Sequence, residues 1–345
     1  MKELKRYHPM DPCFLRVGRY DHTAAVYGLW WSGSGVSMLF SGSYMEAEIC
    51  STARDHASWM GVMMDGAPVA RFPLKEGKHT YPVLAGLAAG VTHEVTLLRD
   101  SQPSYDEDGP IELLAILADA PVECPEKKPL MLEFLGDSLT VGEGTLGPVS
   151  AQEWRQVWIS HMPAFPTLVS SALNAEKRVI ALGGWGAYKS WDCNHDSRIG
   201  AIYEKLCAVT PGGNIPYDFS ERPADAVIIN LGTNDGSALS KADPEELPRE
   251  IENLIGDAVQ LLKTVRAHQP KAFIFWAYGL CGVGTMEPLR MAVEQYRKEM
   301  GDTRAVFLPL PDAGGDVGSR SHPSRDAHRR AAETIIQAIR DVVKE

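Results

Sequence analysis

Four short blocks hold the residues of this chain that could do chemistry: Gly136-Asp137-Ser138, Gly183-Gly184-Trp185-Gly186, Gly232-Thr233-Asn234-Asp235 and Ser321-His322-Pro323. Acyl transfer requires a nucleophile, a base to take its proton, and donors aimed at the oxyanion that develops in the transition state. Ser138 can be the nucleophile and His322 the base. The backbone N–H groups of Ser138 and Gly184, with the side-chain amide of Asn234, can be the donors; Gly186 is the rival for Gly184. A glycine at that point lets the substrate approach the backbone. Taken singly, each block has a plainer use. Asp137-Ser138 and Asn234-Asp235 read as helix caps, the glycines as a tight turn, and His322 as a helix-entry residue before proline.

The surrounding elements decide between these uses. From residue 130 onward the apolar pattern alternates strand and helix, with strands expected at Leu130–Leu135, Arg178–Leu182, Ala226–Leu231, Ala272–Tyr278 and Ala305–Leu310. A helix is expected near Glu250–His268, where Ile251, Leu254, Ile255, Ala258, Leu261, Leu262 and Val265 fit one face, and another after Pro323 with Ser324 as cap. Such alternation builds a mostly parallel sheet covered on both faces, whose ligands bind beyond the carboxyl ends of the strands. Each of the first three blocks follows a strand directly, and His322 follows the last strand and a Gly/Asp/Ser loop.

The first third differs. Short β-like runs at Val36–Ser41, Tyr44–Cys50, Trp59–Met64, Val69–Phe72, His93–Arg99 and Ile111–Leu117 are separated by turn residues, and Asp65-Gly66 is a strong hairpin signal. These features predict an all-β sandwich or jelly roll over 1–120, with Trp30, Trp31 and Trp59 in its core. The proline-rich, charged stretch 121–129 reads as a linker, leaving 130–345 as the α/β domain.

The four blocks, in this order, resemble the SGNH (GDSL-type) hydrolase superfamily, and the sandwich in front resembles carbohydrate esterase family 2. The resemblance implies a flavodoxin-like sheet, a serine esterase that deacetylates plant-type saccharides, Ser138 as nucleophile, Gly184 and Asn234 in the oxyanion hole, and His322 as base. One position departs. The superfamily usually has an aspartate three residues before the histidine to orient it, and here that residue is Ser319. A backbone carbonyl is the expected replacement, with Asp316 next; Asp326 lies four residues beyond His322. Rival readings on the same motifs are an acyltransferase passing the acyl group to a sugar or natural-product hydroxyl, and a carbohydrate-binding protein without activity.

Trp185, Tyr188, Trp276 and Tyr278, near the same sheet edge, are the candidates to contact a sugar ring. His328 reads as structural. The loop Trp191-Asp192-Cys193-Asn194-His195-Asp196 holds metal-ligand types crowded together without a second cluster, so no metal or other cofactor is expected. Six dispersed cysteines suit free thiols. A charge of −11, spread along the chain, argues against nucleic acid or an anionic membrane as partner. The start Met1–Pro9 lacks the apolar run of a signal peptide, which predicts a cytoplasmic enzyme acting on short acetylated xylo- or manno-oligosaccharides. Oligomeric state leaves no signature.

Overall fold

The alternating burial along Tyr44–Ser51 turns every second side chain inward, as a sheet packed on one face requires. The structure, a computed structural model, describes residues 3–343. The chain forms two units, which are described separately.

In the first unit the strands are β1 (Lys5–Tyr7), β2 (Leu15–Val17), β3 (Tyr27–Leu29), β4 (Gly35–Phe40), β5 (Tyr44–Ser51), β6 (Trp59–Met64), β7 (Ala67–Pro73), β8 (Gly77–Ala85), β9 (His93–Arg99), β10 (Ile111–Ala118) and β11 (Val122–Glu123). They make two antiparallel sheets, β1-β10-β5-β8 with β3 on β10, and β11-β4-β9-β6-β7 with β2 on β4. Met45, Ala47, Ile49 and Leu113 from one sheet meet Val36, Met38, Val62 and Leu97 from the other in a single buried cluster. This is the expected sandwich. Asp65 and Gly66 both take positive φ, 51° and 79°, which is the two-residue turn whose twist matches that of the strands it joins. Trp31 is buried, with its indole N–H donated to the Leu206 carbonyl at 2.7 Å.

The stretch expected to be a linker is partly sheet. β11 pairs with β4, and Lys128 is bonded to Glu94 at 2.7 Å, so the first unit runs through Lys128. It also includes Arg155–Val157 and Lys205–Tyr217, held by polar contacts such as Arg19 to the Lys205 carbonyl at 2.8 Å and Gln156 to the Gln102 carbonyl at 3.0 Å. Nothing in their local pattern marks these segments as part of a β domain.

The second unit has one parallel sheet of β12 (Leu130–Gly136), β13 (Ala175–Ala181), β14 (Ala226–Asn230), β15 (Phe273–Tyr278) and β16 (Ala305–Pro309), ordered β13-β12-β14-β15-β16. Its helices are α1 (Ser138–Val141), α2 (Phe165–Ala172), α3 (Ile199–Ile202), α4 (Thr233–Leu239), α5 (Leu247–His268), α6 (Met286–Met300) and α7 (Arg325–Val342). All five residues of β14 are buried, which explains its apolar run Ala226-Val227-Ile228-Ile229, and the Asn230 that ends it donates its amide to the Ala277 carbonyl at 2.8 Å. Leu132, Phe134, Ala226 and Ile228 pack with Val169 of α2 and with Ala331 and Ile335 of α7. One buried charge interrupts β12: Glu133, which pairs with Arg178 of β13 at 3.1 Å and accepts from the Tyr203 hydroxyl at 2.5 Å.

For the site, the register matters most. Gly136 at the end of β12 is level with Ala181 of β13 and Asn230 of β14. The loops that follow all leave from one edge, so Ser138, Gly184 and Asn234 lie two, three and four residues beyond one line across the sheet.

Candidate active site

Ser138 opens α1. Asp137 is the N-cap of that short helix, its carboxylate accepting the Leu139 N–H at 3.0 Å, so the plain reading of Asp137 as a cap and the chemical reading of Ser138 hold together. The Ser138 hydroxyl meets Nε2 of His322 at 2.9 Å, across 184 positions of sequence. Here the structure places the expected base on the expected nucleophile.

The other ring nitrogen, Nδ1, faces the carbonyl of Arg320 at 3.1 Å. Asp316 is elsewhere. It accepts from the Ser324 hydroxyl and from Arg330 at 2.8 Å, and these two donors hold its carboxyl below the usual range. As orienter of His322, Asp316 is therefore corrected to a helix-end residue: Ser324 caps α7 and ties Asp316 there. Asp326 pairs with Arg329 on the exposed side of α7. Ser319 is fully buried and its hydroxyl meets no partner among the described residues.

A negative group does reach His322, from a different loop. Glu143 is buried; one of its oxygens is bonded to the Arg320 guanidinium and the other lies 3.7 Å from Nε2. No sequence motif drew attention to it. Gly144 beside it has φ +85°, and a Cβ there would sit 2.6 Å from the Cβ of His322, so only glycine lets the two loops approach this closely.

On the oxyanion side, the Gly184 N–H meets no acceptor among the described residues, while the Gly186 N–H is already given to the Ser197 carbonyl at 3.4 Å. Of the two rivals, Gly184 keeps a donor to offer. The Asn234 amide donates to the Trp185 carbonyl at 2.8 Å and, over a longer 3.3 Å, to Asp137, which ties all three loops together. Asp235 fixes the loop after β13 from inside, accepting the N–H groups of Ala187, Tyr188 and Lys189 at 2.9, 2.7 and 3.0 Å. Burial nonetheless pushes the Asp235 carboxyl up, these three bonds pulling the other way. Its position one residue after Asn234 was visible as a cap signal, but the loop it holds was not.

The expected sugar-contact residues fare unevenly. Trp276 is fully buried and gives its indole N–H to the Leu231 carbonyl at 3.1 Å; Tyr278 is 3% exposed. Both are core residues, because β15 is covered on both faces. Tyr188 is also buried, its hydroxyl bonded to Glu250 at 3.3 Å and Asn253 at 3.2 Å on α5. Trp185 is half-buried. The aromatic that does face outward is Trp191, 56% exposed, which sequence reading had considered only within a metal-ligand loop. Its N–H bonds to the Gly184 carbonyl at 3.0 Å, and its indole lies close enough to Gly184 that a Cβ there would meet it at 2.9 Å. Lys241 lies over the ring at 4.9 Å.

His328 is buried, stacked on Phe165 and accepting the Phe165 N–H at 3.2 Å; burial pushes it down to about 3. Among the described residues no group of three or more His, Cys, Asp or Glu side chains is placed to hold a metal ion, and no helix is long and apolar enough to cross a membrane.

Burial, with the carboxylates of Asp235 and Glu143 nearby, pushes Asp137 up to about 7, against the pull of the Leu139 N–H. An unfolded aspartate titrates near about 4. The folded protein therefore binds this proton more tightly, and its contribution to stability is complete below about 4, falls as pH rises, and is gone above about 7. Thermal melts of the wild type and Asp137→Asn are expected to diverge with pH accordingly. The wild type loses stability relative to the variant across that window, and a constant difference would show that Asp137 does not titrate there.

Residues 16–120 match the family described as carbohydrate esterase 2 N-terminal, and residues 134–344 match the GDSL-like lipase/acylhydrolase family. The chain is 28% identical over 321 residues to the cellulase/esterase CelE of Acetivibrio thermocellus, a match covering 90% of this chain but 37% of that protein. It is 24% identical over 339 residues to an acetylxylan esterase / glucomannan deacetylase of Cellvibrio japonicus, covering 96% of this chain and 90% of the relative. Among solved structures, the acetyl xylan esterase Est2A from the rumen bacterium Butyrivibrio proteoclasticus matches with a TM-score of 0.93 at 24% identity, over 98% of both chains, which shows a shared fold.

Proposed function

The chain belongs to the GDSL-like lipase/acylhydrolase family and carries the N-terminal domain of carbohydrate esterase family 2, and from that premise we propose that it is a serine esterase removing O-acetyl groups from acetylated saccharides. The observation that carries this reading is the 2.9 Å contact between the Ser138 hydroxyl and His322 Nε2. In the proposed reaction the Ser138 oxygen attacks the acetyl carbonyl as its proton passes to Nε2. The N–H groups of Ser138 and Gly184 receive the oxyanion, joined by the Asn234 amide as one of its hydrogens leaves the longer 3.3 Å bond to Asp137. The sugar hydroxyl leaves with the proton held by His322, forming an acetyl-enzyme, and water reverses the sequence to release acetate.

The substrate class draws on relatives named as acetylxylan esterase and glucomannan deacetylase, and on an exposed indole beside the oxyanion glycine. Mass spectrometry of acetylated xylo- and manno-oligosaccharides before and after treatment tests it directly. Loss of acetyl groups from either set is the expected result; intact acetylation alongside turnover of simple esters would reject a saccharide substrate.

Trp191 is the residue we assign to the sugar ring. An aromatic contact is worth about 0.5–1.5 kcal/mol, so Trp191→Ala is expected to raise KM for acetylated oligosaccharides up to about tenfold. The same substitution is expected to leave KM for 4-nitrophenyl acetate, which carries no sugar, nearly unchanged. Equal losses on both would place Trp191 in support of Gly184 and not in sugar recognition.

A further inference from the structure

His322 presents a problem that its two neighbours solve together. A histidine acting as base needs an acceptor on its second nitrogen to fix the tautomer and ring orientation, and no carboxylate is bonded to Nδ1. The acceptor is the carbonyl of Arg320, only two residues earlier. That carbonyl can point back at the ring because Arg320 and Ser321 both adopt left-handed backbone, with φ of 53° and 56°. Side chains with a Cβ resist this conformation, so two in succession persist only where the surroundings hold them.

What holds them is specific. The Arg320 N–H is bonded to the Ala151 carbonyl at 2.8 Å, and the Gly318 N–H to the His322 carbonyl at 2.7 Å. The Arg320 side chain is bonded to Glu143, whose own side chain is 4% exposed. A carboxylate buried to that extent is costly unless a cation answers it, so the pair is bound to persist. Glu143 is itself fixed to the nucleophile's helix, its N–H donated to the Ser138 carbonyl at 2.9 Å. The pair thus ties the loop that carries the nucleophile to the turn that carries the base. Its free oxygen, 3.7 Å from Nε2, is too far for a hydrogen bond, yet it places negative charge beside the ring on which positive charge develops when Ser138 loses its proton.

We propose that Glu143 and Arg320 are a positioning pair that takes over the task of the orienting aspartate absent at Ser319: Glu143 locks the Arg320 turn so that its carbonyl receives the His322 Nδ1–H. The proposal rests on the esterase reading above. It adds that the orienting apparatus has moved from one side chain on Nδ1 to a buried ion pair that spans two loops.

The test uses the full chain and 4-nitrophenyl acetate, comparing Glu143→Gln, Arg320→Gln, Arg320→Lys and the double Gln variant. Each single Gln variant is expected to lower kcat by about 10–30-fold with KM shifted less than about threefold, since it disturbs the base and not the binding surface. Arg320→Lys, which keeps the charge, is expected to recover most of that loss. The double variant is expected to be no slower than either single, because both remove one device. Single Gln variants at wild-type kcat, or strictly multiplicative losses in the double, would overturn the pair. Thermal melts accompany each variant; should Glu143→Gln fail to fold, the contrast of Arg320→Gln with Arg320→Lys decides alone. Failure of the esterase reading looks different, since then the wild type itself would not turn over the ester through Ser138.

Discussion

Replacing Ser138 by alanine is expected to reduce hydrolysis of 4-nitrophenyl acetate by about 10⁴-fold or more while leaving the fold intact. The hydroxyl is the group that makes the covalent bond, so the variant keeps the donors and the binding surface but has no route to an acetyl-enzyme. Its structural loss is small. The Ser138 side chain has one bond, to His322, and the cap of α1 is supplied by Asp137. Turnover and circular dichroism should therefore separate cleanly, with one abolished and the other unchanged. Covalent labelling of the wild type by an organophosphonate, absent in Ser138→Ala, gives the same answer without a substrate. Undiminished turnover in the variant would remove the assignment of the nucleophile, and with it the esterase reading.

Asn234→Ala is expected to lower kcat by about 10²–10³-fold, the usual effect of deleting one oxyanion donor, with a smaller change in KM. The amide has a second duty that makes this variant informative. It is bonded to the Trp185 carbonyl at 2.8 Å and to Asp137 at 3.3 Å, so its removal also frees the loop that presents Gly184. Asn234→Asp keeps the shape but brings a third carboxylate next to Asp137 and Asp235, and is expected to be at least as damaging. A loss below about tenfold in Asn234→Ala would mean that Ser138 and Gly184 suffice as donors and that the asparagine is chiefly a tie between loops.

Much of this arrangement was legible from the amino acids. β12, β14 and β15 are mostly apolar, and a glycine stands at or within two residues of the end of each and of β13. These ends could therefore be placed with little error, even though β13 begins in the charged run Glu176-Lys177-Arg178. That placement, with the chemistry of the four blocks and their order, singled out Ser138, Gly184, Asn234 and His322 as candidates, with Gly186 left as a rival. What could not be read is whatever depends on side chains meeting across sequence. Trp276 and Tyr278 were placed at the right edge, but whether an aromatic at a strand end faces a cleft or the core depends on the helices that cover it. Trp191 was passed over because its neighbours Asp192, Cys193, His195 and Asp196 posed a different question. Glu143 lies in a loop of small residues and carries no motif; only the fold brings it to Arg320. The nine-residue strand β8 was missed because it is mostly exposed and polar, with Pro82 inside it, and is specified by its pairing to β5. The supposed linker had the proline and charge content of one, yet Val122 pairs with Phe40 and takes its backbone into a sheet.

The carboxylate of Asp235, gripping three successive N–H groups from within, has a consequence for how this site can change. The loop after β13 is held by an internal anchor, and the exposed indole of Trp191 lies farther along the same loop. On the sugar-contact role proposed for Trp191, substitutions at 191 and its exposed neighbours are expected to alter which acetylated sugar is accepted while Asp235 keeps its hold on the loop. A library confined to that outer surface is the economical route to new substrate ranges on this scaffold, and one that also varies 235 would spend most of its members on chains that no longer hold the loop.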